Sequence, residues 1–91
     1  MRTIHKQELK ITDSQAILLP KGAIILCVKI QREKLCMWYE CETENDVERV
    51  IIRCFGTGFN LDGNLEYIDT VITNNGSFVW HFFKERHPFK D

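Results

Sequence analysis

The 91-residue chain holds two prolines, five glycines and four cysteines, and no two of its cysteines form a Cys-x-x-Cys pair. The closest, Cys36 and Cys41, are an odd number of residues apart. On a regular strand they point to opposite faces and cannot share one ion, so the spacing gives no metal site and no metal or cofactor is expected. Charge of one sign is also lacking. The net charge is -1 and the pI about 6.3, which removes any general attraction to nucleic acid or anionic lipid. The longest apolar runs, such as Ala23–Val28, are far too short to span a bilayer. Met1–Lys6 lacks the apolar core of a signal peptide, so the expected place is the cytoplasm, with the cysteines reduced and packed as small apolar groups. No stretch shows helical periodicity over three turns, which argues against a helical bundle.

What is present is a succession of strand-length runs separated by turn residues. Hydrophobic residues at 44% and charged residues at 27% are ordinary globular values, and a chain of this length makes one domain, residues 1–91. Ile24, Leu26, Val28 and Ile30 occupy every second position, which predicts one strand face turned to a core. Arg32-Glu33-Lys34 then lets the chain double back into Leu35–Glu42, and an even-length link centred on Arg32-Glu33 would set Cys27 opposite Trp38 and Lys29 opposite Cys36. Thr12-Asp13-Ser14, Pro20-Lys21-Gly22, Thr43–Asp46 and Gly56-Thr57-Gly58 mark further turns. In Val47–Phe55, Val50, Ile52 and Cys54 share one face while Ile51 and Phe55 share the other, the pattern of a central strand. Asn75-Gly76 between Tyr67–Thr73 and Phe78–Lys84 is a strong hairpin signal, because both residues tolerate positive φ. The sum is an all-β, single antiparallel domain of six or seven strands, a small sandwich or barrel.

Chemistry is harder to find. Gly56-Thr57-Gly58 ends a strand, so its backbone N–H groups could approach an anionic ligand, with Thr57 and the nearby Arg53 adding a hydroxyl and a charge. A strand-ending turn explains the same residues without a ligand. Should a small anionic nucleotide bind, Gly56, Thr57 and Gly58 would face phosphate, and Trp38 or His81 the base or sugar. His5, His81 and His87 lie too far apart in sequence to suggest a ligand set. Cys54 with His81 is the one nucleophile–base pair worth weighing, and Arg53 projects to the other face, where it cannot lower the thiol pKa. Glu40, Glu42, Glu44, Asp46 and Glu48 read as a solvated, edge-protecting run. No catalytic residue is assigned, and an enzyme is the poorer expectation.

The aromatic residues are the best binding lead. Phe78, Trp80 and Phe82 share one face of the last strand, Val79, His81 and Phe83 the other, and Trp38, Tyr39, Tyr67 and Phe89 add to the set. A core between two layers cannot easily hide all of them. Either the last strand is central and buried on both sides, or one face is covered by another subunit, for which a symmetric homo-oligomer is the usual outcome.

Thr3-Ile4-His5-Lys6 with Leu9, Leu19–Leu26 with Val28 and Gln31, Cys36 with Trp38, Gly56-Thr57-Gly58, Tyr67-Ile68-Asp69-Thr70, and Gly76-Ser77 with Val79, His81 and Phe83 occur in the order seen in a family of very small phage-encoded proteins of unknown function, which the chain resembles over almost its full length. Asp69 stands where that pattern often has a small residue such as Gly. The resemblance implies a phage origin and a bacterial host's cytoplasm, and no activity. By analogy with compact phage proteins that lack catalytic signatures, it suggests a non-enzymatic binding protein for host takeover or counter-defence, blocking a host defence protein or sequestering a nucleotide signal. The alternative is a structural or accessory phage module acting through a sheet edge or an apolar face.

Overall fold

In the computed structural model, which describes residues 1–86, each turn read from the sequence separates two strands. His87 and Phe89 lie outside the described residues. The strands are β1 (Arg2–Glu8), β2 (Ser14–Pro20), β3 (Ile24–Gln31), β4 (Lys34–Glu42), β5 (Val47–Gly56), β6 (Leu65–Thr73) and β7 (Phe78–Glu85), with one 3₁₀ turn at Asn74–Gly76. They pair antiparallel in two sheets, β1-β4-β3 and β2-β5-β7-β6. The architecture is a three-on-four β-sandwich.

The core is the product of alternation on the central strands. Leu35, Met37, Tyr39 and Cys41 of β4 face Val50, Ile52 and Cys54 of β5 and Phe82 of β7 across the sandwich, and Ile17 and Leu19 of β2 close one side. Val28, Met37, Ile52 and Phe82 are fully buried, and each such side chain contributes about 1.5–3 kcal/mol relative to an exposed one. β7 lies between β5 and β6, so the last strand is central. Its inner face is closed by Phe82, and its outer face is half-buried.

The β3–β4 hairpin has the register counted from its link: Cys27 pairs with Trp38, Lys29 with Cys36 and Gln31 with Lys34. Arg32 and Glu33 both take positive φ, 51° and 69°, as a two-residue hairpin turn of the twist-matching kind requires. The shared face expected for Ile24, Leu26, Val28 and Ile30 is not formed. The ladder slips between Ile25 and Cys27, leaving Leu26 unpaired as a bulge. Alternation restarts one residue late, so Ile25 and Val28 lie opposite the inward Tyr39 and Met37, while Ile24 lies opposite Glu40 and is exposed. An extra residue in one strand reverses the facing of everything before it.

A second bulge, between Tyr67 and Asp69, sits in β6, the edge of the other sheet that packs beside β3. It turns Asp69 inward, opposite Phe82. There the carboxylate accepts hydrogen bonds from the Val28 N–H at 3.0 Å and the Thr70 N–H at 2.8 Å, and pairs with Lys29 Nζ at 3.1 Å. Val28 is wholly buried, and on the open edge of β3 its N–H has no strand partner, so Asp69 satisfies a donor that would otherwise be orphaned. Burial alone would raise the Asp69 carboxyl, but the Val28 and Thr70 N–H groups and the Lys29 ammonium outweigh it and hold the group below the ordinary carboxylate value. One side chain thus clasps the two sheets along one edge.

Candidate functional site

β5 and β7 are adjacent central strands with apolar residues at both parities, so they fill the core on one side and present rings on the other. Phe55 pairs with His81, Arg53 with Phe83, and Phe83 in turn with Tyr67 of β6. The rings meet edge to face: Phe55 and Phe83 have centroids 5.7 Å apart, and Tyr67 and Phe83 5.6 Å, the arrangement favoured by aromatic quadrupoles. Arg53 lays its guanidinium over Phe55, 4.9 Å from the ring centroid. Its Nε donates to the Asp13 carbonyl at 3.1 Å, Nη1 to Glu85 at 3.3 Å and Nη2 to Asp62 at 3.4 Å. Around this ladder the outer face keeps Tyr67, Ile72 and Leu18 largely exposed.

A chain of hydrogen bonds crosses the same face. Thr57 Oγ1 and His81 Nε2 are 2.8 Å apart, His81 Nδ1 and Thr70 Oγ1 3.0 Å, and Thr70 Oγ1 and the Tyr67 hydroxyl 2.6 Å. Both imidazole nitrogens therefore have a hydroxyl partner, and the ring is fixed as a link between the turn after β5, β7 and β6. A neutral imidazole donates from one nitrogen and accepts at the other, and a hydroxyl can answer either role.

Of the residues singled out in the sequence, the fold brings Thr57 and His81 into contact, with Arg53, Gly56 and Gly58 along the same end of β5. Trp38 does not join them. It lies on β4 between Lys6 and Cys27, on the outer face of the three-stranded sheet, because its neighbours Met37 and Tyr39 are the inward residues of that strand. The Cys54–His81 pair is not formed either. Cys54 pairs with Phe82 and faces inward, whereas His81 pairs with Phe55 and faces outward. Burial, with Asp13 nearby, pushes the Cys54 thiol up to about 11, the opposite of what an activated nucleophile needs. Among the described residues no three His, Cys, Asp or Glu side chains converge as metal ligands do.

Where β5 gives way to the following loop, Gly56 serves a close approach. A Cβ there would stand 3.2 Å from Phe59 Cε1, with Trp80 Cζ3 at 3.9 Å. The Phe59 ring lies on bare backbone, and beside it opens a cavity of about 340 Å³ lined by Ile11, Asp13, Arg53, Asn60, Asp62 and Trp80, among others. Sequence reading missed Phe59, Asp13 and Asp62, which belong to loops whose meeting only the fold decides. Thr70 was legible: Thr73 and Phe78 flank the Asn-Gly link, and counting back three pairs sets Thr70 opposite His81.

The whole length carries a family signature, and it matches a domain of unknown function (DUF7352) over residues 1–90. The chain belongs to that family. No curated protein and no solved structure matches it.

Proposed function

We propose that the protein is a phage-encoded, non-enzymatic binding protein that blocks a host defence protein, and that it engages this target through the outer face of its four-stranded sheet. The observation that carries the binding part is the edge-to-face ring ladder Phe55–Phe83–Tyr67, which runs from buried Phe55 to exposed Tyr67, with exposed Ile72 and Leu18 elsewhere on the same face. Contiguous rings with few charges are what a protein interface buries at its centre. The phage and counter-defence part rests on the resemblance described above. A protein target is better supported than an anionic nucleotide, since Arg53, three residues before the Gly56–Gly58 turn, already spends its donors on Asp13, Asp62 and Glu85.

The test is capture of host proteins from infected or expressing cells by the tagged chain, compared with Leu18→Glu/Ile72→Glu on this face and Ile4→Glu/Ile24→Glu on the opposite sheet. A host protein held by the wild type and by the second variant, and released by the first at unchanged melting temperature, supports the reading. Equal capture by all three sinks it. Self-association at micromolar concentration that Ile72→Glu abolishes would reassign the face to a second copy of the chain.

A further inference from the structure

The cavity beside Phe59 has a chemistry of its own. Two loops and a strand form its mouth: the β1–β2 link brings Ile11 and Asp13, the β5–β6 loop brings Phe59, Asn60 and Asp62, and β7 brings Trp80. Exposed Ile11 and Phe59 give it an apolar rim. Its volume, about 340 Å³, lies at the low end for small-ligand pockets and suits one long side chain. Asp13 and Asp62 share its lining with the Arg53 guanidinium. That guanidinium is already bound to Asp13's carbonyl, Glu85 and Asp62, and covers Phe55, so it offers little to an incoming anion. The Asp13 carboxylate has no hydrogen-bond or ion-pair partner among the described residues, and Asp62, with its side chain 70% exposed, holds Arg53 at a long 3.4 Å. Acceptors with open lone pairs in a lining shared with the rings of Phe59 and Trp80 call for a planar donor that carries positive charge.

We infer that this pocket receives an arginine side chain of a protein partner, its guanidinium flat against Phe59 and Trp80 and its N–H groups donating to Asp13 and Asp62. Arginine fits better than lysine because a planar fork can stack on a ring and meet two carboxylates at once, whereas an ammonium is a strongly hydrated point charge. Such a pocket, at the end of β5 where the β1–β2 and β5–β6 loops meet, adds a specific anchor to the binding proposed above, and it has a use only if the protein does bind a target. Small probes report on the pocket without the target, so either can fail alone.

The experiment is an NMR titration of the intact protein with the blocked tripeptide Gly-Arg-Gly, its Gly-Lys-Gly counterpart, methylguanidinium, and AMP. The Trp80 indole N–H, tied to Thr73 Oγ1 at 3.1 Å, and the Asn60 side-chain amide are the reporters. Saturable shifts at both with the arginine peptide are expected, with about tenfold weaker binding of the lysine peptide, a difference of about 1.4 kcal/mol. Asp13→Asn/Asp62→Asn should weaken the arginine peptide by about tenfold or more, and Phe59→Ser should do so without touching the carboxylates. No saturable shift, an equal response in both variants, or a response to AMP instead of the arginine peptide overturns the assignment. Binding of methylguanidinium with exclusion of the peptide overturns it as well, since the pocket would then serve a free small cation.

Discussion

On the three-stranded sheet the outward row Lys6–Trp38–Cys27 sets one large ring between a charged stem and a thiol. On the four-stranded sheet the outward row Arg53–Phe83–Tyr67 sets two rings edge to face beside a guanidinium, and a third ring, Phe55, completes the ladder. The next row of the smaller sheet, Ile4–Glu40–Ile24, interrupts two exposed isoleucines with a carboxylate that pairs with Arg2. Isolated apolar groups among charges are ordinary protein surface, whereas contiguous rings are not. Both sheets share one core, and they differ in whether the rings on the outer face touch one another.

The comparison can be pressed hardest on β7, where neighbouring rings belong to different worlds. Phe82→Ala should cost about 3–5 kcal/mol in urea unfolding, because it empties a fully buried site. Phe83→Ala, on the half-buried outer face, should cost about 1–2 kcal/mol. Equal losses would mean that the outer face is as much core as the inner one, and the case for a binding surface would fail.

Next in size is the clasp between the sheets. Asp69→Ala leaves the buried Val28 N–H unpaired and should cost about 1–3 kcal/mol. The pH dependence has a definite sign. Asp69 has a folded pKa below its ordinary value, so its contribution is present above that ordinary value and is lost as pH falls through the folded one. Wild-type stability should therefore fall more steeply with acidification over that window than that of Asp69→Asn, as read from urea midpoints along a pH series.

The two hairpins differ in a smaller way. The β3–β4 turn holds Arg32 and Glu33 at positive φ, whereas the β6–β7 link uses Asn74, Asn75 and Gly76 there. Glu33→Gly should raise stability by about 1 kcal/mol and Gly76→Ala should lower it by a similar amount, since open space surrounds Gly76 and only its backbone geometry is at stake. Thermal melts of the two variants, shifting in opposite directions, would confirm it.

Thiol labelling gives the last contrast, one of rate. Cys27, half-buried on the outside of the smaller sheet, should react first near neutral pH. Cys54, buried and with its thiol pushed up to about 11, should stay unlabelled until the protein unfolds.

Much of the fold could be read from the chain because its signals are local. Gly, Pro, Asn and Asp clusters mark where strands end, and the even link at Arg32-Glu33 fixes a register to the residue. The misreading of Ile24, Leu26, Val28 and Ile30 has an equally physical origin. A bulge keeps the apolar spacing in the sequence while reversing which side of the strand each residue faces, and nothing near Leu26 announces it. The site divides in the same way. Thr57 and His81 meet, and Thr70 could be placed by counting from the Asn-Gly turn. Trp38 was misplaced because residue spacing does not say which sheet, or which face, a side chain ends on.

The sequence by itself determined the all-β class, the turns that part the strands, the two hairpin pairings and the two-sided apolar character of β5 and β7, since each follows from turn chemistry and alternation within a few residues. Tertiary structure alone decided the division into three and four strands, the Asp69 clasp, and the union of Asp13, Phe59, Asp62 and Trp80 around one cavity. Those depend on which distant strand edges and loops come together, a matter settled by how the whole core packs rather than by any local preference.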